Sequence, residues 1–325
     1  MGKSWASHAN GILAGLTSGI TFLFGALYFA GVLGPPANGA STSALGVGIM
    51  VTAGIAVVLA SYRHRLARFL PIDPDNPVHT LALVLAVILL GSQIALVSFV
   101  DVLAADRNQP PLTVLDVFAQ ELPFLIIAVT GVGLFIRRNA TETARRLGVI
   151  RPAWWQITLA FTAAGLFFSF SLGVDAISHA LTPQVAHNVD VTTQHVFGGL
   201  GDPVGIAAIA LLPAICEEIL FRGALQPRLG LVLTALLFTS IHTQYSISFD
   251  TLAVFVLALG LGLIRKYTNT TTSGITHATY NLVVSIGIGG ELVGFAIAAE
   301  VLLIAALVTF ALRSRWRRKT AAPDV

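Results

Sequence analysis

Five ionisable side chains in the last third of the sequence lie inside strongly apolar segments: Glu217, Glu218, Arg222, His242 and His277. A charge at the centre of a bilayer costs at least about 2.5 kcal/mol, so each such group is a candidate functional residue. A carboxylate and an imidazole can together remove a proton from water, which makes the water a nucleophile. The chemistry that these residue types suggest first is therefore hydrolysis.

Helical geometry divides the acidic pair into two roles. Adjacent residues of an α-helix point about 100° apart, so Glu217 and Glu218 cannot share one face. Arg222 follows Glu218 by four residues, the spacing at which a carboxylate and a guanidinium meet. We therefore expect Glu218 and Arg222 to form a supporting ion pair, while Glu217 turns toward another partner.

Two further pairs show the same four-residue spacing. His277 and Asn281 share a face of one apolar segment, and Phe238 and His242 share a face of another. An imidazole and a carboxamide can donate hydrogen bonds to a carbonyl oxygen as it becomes an oxyanion. One carboxylate, two imidazoles and one amide would thus suffice to hydrolyse an amide bond with water.

Each of these residues also has a purely structural interpretation. The acidic pair could belong to an ion-pair network that orients helices, and either histidine alone could be a hydrogen-bonded core residue. Asn281 could link two helices, a common use of Asn in membranes. Cys216 next to the acidic pair is expected to be a buried, inert thiol, since nothing around it in the sequence favours the thiolate.

The elements that must position these residues are membrane-spanning helices. Hydrophobic residues make up 55% of the 325-residue chain and charged residues only 11%, and the mean hydropathy is +0.81. Soluble domains carry about 25% charged residues. A span needs roughly 20 apolar residues. The candidate spans are residues 11–33, 44–61, 79–100, 113–136, 153–181, 203–226, 229–248, 251–265, 273–289 and 291–312.

Basic residues fall between alternate spans and predict the orientation. Their clusters are Arg63 to Arg68, Arg137 to Arg151, Arg222 with Arg228, Arg265 with Lys266, and Arg313 to Lys319. The positive-inside rule is satisfied when both termini are cytoplasmic. The net charge of +3 therefore reflects basic loops between membrane spans and indicates no nucleic-acid partner. We predict an all-α, polytopic transmembrane helix bundle of about 8–10 spans with a cytoplasmic N-terminus and C-terminus.

The polar motifs, taken in order, resemble a known family. Glu217-Glu218-x-x-x-Arg222, then Phe238-x-x-x-His242, then His277-x-x-x-Asn281 is similar to the motif set of the CAAX-protease and bacteriocin-processing family. Its members are also called Abi proteins or type II CAAX prenyl endopeptidases. The resemblance covers roughly residues 150–290. It implies a catalytic helix bundle in residues 151–290. The four N-terminal spans in 1–150 and the final helix with a basic cytoplasmic tail in 291–325 lie outside the resemblance and are predicted from hydropathy and charge.

The resemblance also implies an activity and a role for each residue. The activity is hydrolysis of a peptide bond near the cytoplasmic membrane face by an intramembrane endopeptidase. Glu217 with His242 would activate water, and His277 with Asn281 would bind the oxyanion. The supporting residues would be Glu218, Arg222 and Phe238.

Cofactor, substrate and location follow from the same resemblance. Glu217, His242 and His277 are also candidate zinc ligands, but the compact H-E-x-x-H motif is missing, so a metal-free mechanism without a cofactor is favoured. The expected partners are the lipid bilayer and a membrane-associated peptide or protein, prenylated or not. The expected location is the plasma membrane.

Two other functions fit buried ionisable groups. The chain could be a proton- or ion-coupled transporter, or a non-catalytic scaffold or immunity protein. No role follows from the sequence for a further set of polar residues within spans, which comprises Asp116, Glu121, Asp175, His179 and Glu300.

Overall fold

The computed structural model describes residues 4–34, 36, 40–287 and 292–320, and these residues are almost wholly helical. The α-helices in chain order are α1 Ser4–Phe29, α2 Ala40–Val58, α3 Ala60–Leu66, α4 Pro77–Phe99, α5 Val102–Arg107, α6 Val114–Gly131, α7 Ala140–Leu147, α8 Trp154–Leu181, α9 Pro183–Phe197, α10 Pro203–Glu217, α11 Gln226–Ser240, α12 Phe249–Tyr267, α13 Thr270–Ile286 and α14 Leu292–Thr320. A π-helix, Glu218–Leu225, joins α10 to α11. Within the described residues the predicted all-α class is confirmed.

The chain is a multi-pass membrane protein. In the described residues, six helical stretches are long and apolar enough to cross a bilayer: Gly11–Phe29, Pro77–Phe99, Val114–Gly131, Trp154–Leu181, Pro203–Ser240 and Gly294–Arg313. A seventh is obtained if Ser43–Val58 and Ala60–Leu66, which meet at a bend of 105°, count as one span. Large apolar side chains exposed along these helices are the surface expected of a protein whose solvent is lipid.

The predicted sixth and seventh spans lie in the helical stretch Pro203–Ser240. The helix is interrupted within this stretch at Gly230, where φ is +77° and ψ is 176°, a non-helical backbone conformation that favours glycine. The predicted eighth and ninth spans correspond to α12 and α13, which have 19 and 17 residues. Charged residues lie near both ends of α12, so it is less apolar than the longer spans.

One compact unit contains the described residues of 1–111, 177–196 and 225–259. In it α1, α2 and α4 pack against one another, and α4 also packs against α11. Glycines permit these close approaches: a Cβ at Gly25 would lie 2.4 Å from a methyl group of Val51, and one at Gly54 would lie 2.0 Å from the Thr21 hydroxyl. Small residues at helix crossings are typical of membrane proteins.

The other compact unit contains the described residues of 112–176, 197–224 and 260–325. Its centre is α10, which packs against both α6 and α13. Aromatic contacts hold the neighbouring helices, with Phe124 edge-on to Phe221 and Trp155 stacked on Phe310 at a centroid distance of 5.9 Å. This unit contains Glu217, Glu218 and the α13 residues of the predicted site.

The cytoplasmic placement of both termini stays a prediction. So does the division of the chain at residues 150 and 290. Residues 321–325 of the predicted basic tail lie outside the described residues.

Candidate active site

The acidic pair lies where the helix changes its geometry. Asp202 caps α10 by accepting a hydrogen bond from the Gly205 amide at 2.7 Å, and α10 then runs to Glu217. Glu218 begins the π-helix. π-helical turns are rare and occur frequently at functional sites, so this transition agrees with the predicted functional role of the acidic pair.

Glu218 contacts three other polar side chains in a buried cluster. Its carboxylate, 1% exposed, forms the expected ion pair with Arg222, with Oε2 3.5 Å from Nε. The same oxygen accepts a hydrogen bond from the Ser273 hydroxyl at 2.5 Å, and Oε1 lies 3.2 Å from Nδ1 of His277. Both oxygens of Glu218 are thus engaged by groups that hold helices together.

Glu217 has a different environment. It is 4% exposed, and its Oε2 is buried without a hydrogen-bond partner among the described residues. The carboxyl group of Glu121 in α6 is also buried and lies within electrostatic reach of Glu217. A buried carboxyl oxygen that no neighbouring group engages can accept from a bound water or substrate.

One face of α13 points at α10 and the π-helix. Ser273 and His277 contact Glu218, and Asn281, one turn further, donates from Nδ2 to the carbonyl oxygen of Ile209 at 3.3 Å. The helices approach closely near Gly274, where a Cβ would lie 3.5 Å from the Ala214 carbonyl. The spacing of four residues therefore places three polar side chains along α10.

A second set of contacts holds the π-helix at Arg222 and Gly223. Its carbonyl groups at Arg222 and Gly223 accept hydrogen bonds from Arg265 Nε at 3.2 Å and Arg146 Nη1 at 3.3 Å. Leu147 ends α7 directly against Gly223: a Cβ added there would lie 2.7 Å from the Leu147 carbonyl oxygen. These contacts fix the end of the π-helix beyond Glu218.

His242 and Phe238 belong to the other unit. Nδ1 of His242 lies 2.8 Å from the Phe238 carbonyl oxygen, and the two rings are 4.7 Å apart between centroids. A carbonyl only accepts, so Nδ1 carries the proton and the Nε2 of a neutral ring is an acceptor. That is the tautomer a general base needs. The pairing of His242 with Glu217 stays a prediction.

A comparison with protein families matches the part of the chain that contains these residues. Residues 200–283 match the family described as type II CAAX prenyl endopeptidase Rce1-like. Residues 200–283 are called the CAAX-protease segment below, after this similarity. The match covers about a quarter of the chain and includes all the predicted site residues. No curated protein and no solved structure is significantly similar to the chain.

The CAAX-protease segment contains site contacts that the motifs did not reveal. Ser273 was missed, although it lies four residues before His277 on the same face, which was the available signal. Glu121 lies outside the matched segment, and only its ionisable character within a span singled it out. Cys216 is a buried free thiol, as expected.

Three of the other unassigned polar residues have local contacts outside the CAAX-protease segment. Asp116 forms a capping box with Thr113 at the start of α6. His179 lies 3.0 Å from Asp190 in an exposed ion pair. The Glu300 carboxylate packs directly against Gly165, so that a Cβ added at Gly165 would lie 2.2 Å from Glu300 Oε2. None of these contacts involves the acidic pair.

Proposed function

We propose that this protein is an endopeptidase that hydrolyses a peptide bond within the plasma membrane, near its cytoplasmic face. The observation that carries the proposal is the contrast between two adjacent buried carboxylates. Glu218 is engaged at both oxygens, whereas Oε2 of Glu217 has no hydrogen-bond partner among the described residues. Within the CAAX-protease segment, Glu217 is thus the carboxylate with an oxygen that no described neighbour engages and that a bound water could use.

The reaction begins with proton removal from water by Glu217 together with His242. The resulting hydroxide attacks the scissile carbonyl carbon, and the C=O electron pair moves to oxygen. His277 and Asn281 donate hydrogen bonds to that oxyanion. The tetrahedral intermediate then collapses, the C–N bond breaks, and the proton held by the protein passes to the leaving amine.

The Glu218 contact bears on the role of His277. With Nδ1 facing a carboxylate, a neutral ring presents Nε2 as an acceptor. Donation from Nε2 to an oxyanion requires the doubly protonated ring, whose positive charge would lie beside Glu218. The described geometry supports this arrangement because Glu218 is within hydrogen-bond distance.

Zinc is the alternative to a metal-free reaction. The candidate ligands resemble a metal site in one respect. A histidine that binds a metal usually donates a hydrogen bond from its other nitrogen to a carboxylate, and His277 can do so to Glu218. Glu217, His242 and His277 would hold the ion, which would lower the pKa of a bound water. We favour the metal-free reaction because the chain lacks H-E-x-x-H.

The proposed substrate is a peptide segment embedded in or anchored to the membrane. A type II CAAX prenyl endopeptidase-like segment makes a prenylated C-terminal peptide the first substrate to test. Matched peptides with and without the prenyl group would show whether the lipid is required. A leader peptide or a membrane regulator fits the same site without prenylation.

The decisive experiment is hydrolysis by the purified full chain in proteoliposomes. We expect Glu217→Gln to lower kcat by about 10²–10⁴-fold, the usual contribution of a general base. Glu300→Gln is the matched control, since Glu300 is also a glutamate of a membrane span but lies outside the matched segment. Full activity in Glu217→Gln would end the proposal. Ion flux without hydrolysis would favour the transporter. Activity that disappears on chelation and returns with zinc would favour the metal.

A further inference from the structure

A proline lies in the interior of α10, four residues before Glu217. Pro213 has no amide hydrogen, so the carbonyl group of Ile209, four residues earlier, loses its helical donor. The Nδ2 of Asn281 lies 3.3 Å from that same carbonyl oxygen. A side chain of α13 therefore supplies the hydrogen bond that the proline withdraws from α10.

We propose that Pro213 is a positioning residue for Asn281: it leaves the Ile209 carbonyl free to fix the orientation of the carboxamide. The inference rests on the proposed function and deepens its oxyanion site. Pro213 and Ile209 touch no reacting atom in this scheme. They act through the amide that does.

The direction of the hydrogen bond is what makes this contact useful. A backbone carbonyl can only accept, so the NH₂ end of Asn281 must face Ile209, because a flipped amide would set two carbonyl oxygens against each other. An NH₂ group has two hydrogens. With one engaged by Ile209, the second is held in the amide plane in a fixed direction, which is the preorganisation that an oxyanion donor requires.

The contacts on either side strengthen this arrangement. One turn before Asn281, His277 contacts Glu218, and Ser273 contacts the same carboxylate. The backbone position of α13 is thus fixed against the acidic pair. The Ile209 carbonyl then determines the remaining freedom of Asn281, the rotation of its amide.

The test is Pro213→Ala in the full chain. Alanine restores the N–H, so the Ile209 carbonyl returns to the helix and the Asn281 amide loses its anchor. We expect kcat to fall about 10- to 100-fold, in the range for a displaced catalytic group, with KM unchanged. In the Asn281→Ala background the same substitution should cause no further loss. The midpoint of thermal unfolding should not fall, because alanine suits a helix interior better than proline.

A second readout needs no activity. In protein labelled with ¹⁵N at asparagine, the side-chain signal assigned through Asn281→Ala should exchange slowly with solvent, and Pro213→Ala should make it exchange rapidly. Pro123→Ala is the matched control, since Pro123 also lies inside a helix. It should leave kcat and the Asn281 signal as in the wild type.

Two results would overturn the inference. One is wild-type kcat together with a protected Asn281 amide in Pro213→Ala. The other is a loss that adds fully to that of Asn281→Ala. If no variant and no wild-type protein hydrolyses any peptide, the proposed function fails, and the amide signal still decides whether Pro213 orients Asn281.

Discussion

At the scale of single residues, the buried Glu218–Arg222 pair has a direct consequence for stability. Both side chains are 1% exposed. A buried ion pair of this kind need not stabilise a protein more than an apolar pair would, because removing both charges from water is costly. Removing only one of the two charges is different, since the remaining charge stays buried without its counter-ion. The pair therefore holds the π-helix only as long as both members are present.

We predict that Arg222→Met destabilises the protein by about 3–5 kcal/mol, because it leaves the Glu218 carboxylate buried beside no guanidinium. Thermal unfolding in detergent would measure the change. The control is Arg145→Met, which removes an exposed arginine of α7 and should alter stability by less than about 0.5 kcal/mol. Equal midpoints for Arg222→Met and the wild type would show that the pair is dispensable.

At the scale of elements, the π-helix is the feature that the rest of the second unit supports. α13 contacts its first residue through Ser273 and His277, and α7 ends against Gly223. Arg265 and Arg146 donate to the carbonyl groups of Arg222 and Gly223 within it. Glu218, which begins this segment, is thus fixed by helices from other parts of the chain.

We predict that Gly223→Ala destabilises the protein by about 1–3 kcal/mol, the usual effect of overpacking, because its Cβ would lie 2.7 Å from a backbone oxygen. Activity should fall as well, since the π-helix must shift. In Gly173→Ala, by contrast, the added Cβ meets nothing within 4 Å, and the protein should gain up to about 1 kcal/mol. Unfolding midpoints and kcat of the two variants would be compared. A Gly223→Ala protein as stable as Gly173→Ala would contradict the close contact with α7.

At the scale of the whole molecule, lipid replaces water around the helices. The window Gly294–Arg313 of α14 is 0% buried within the structure and has a mean hydropathy of 2.5, so its surface suits only a bilayer. Orientation is a separate matter that charge decides. The arginines after α6 and the near absence of basic residues around α9 predict opposite sides of the membrane for these two regions.

Cysteine labelling tests this orientation. The only cysteine is the buried Cys216, so Cys216→Ser provides a background without thiols. In that background we expect Gln184→Cys, at an exposed position of α9, to react with an impermeant maleimide added outside intact cells. Thr141→Cys, at an exposed position of α7, should react only after the membrane is opened. The reverse pattern would place both termini outside.

Prediction from sequence worked best where helical periodicity alone determines geometry. The Glu218–Arg222 ion pair and the Phe238–His242 ring contact both follow from a spacing of four residues. The predicted break between the sixth and seventh spans, at residues 227–228, lies close to the observed interruption at Gly230. Its exact place depends on the non-helical backbone of that glycine, which hydropathy does not specify.

The sequence by itself determined that the chain is an all-helical membrane protein and which side chains could carry its chemistry, because composition and short spacings are properties of the chain alone. Only the tertiary structure decided that Glu218 rather than Glu217 binds Ser273 and His277, and that Asn281 donates to Ile209. These contacts join residues 55 to 72 positions apart. Their geometry depends on how a π-helix and an interior proline rotate side chains between packed helices, which no local spacing specifies.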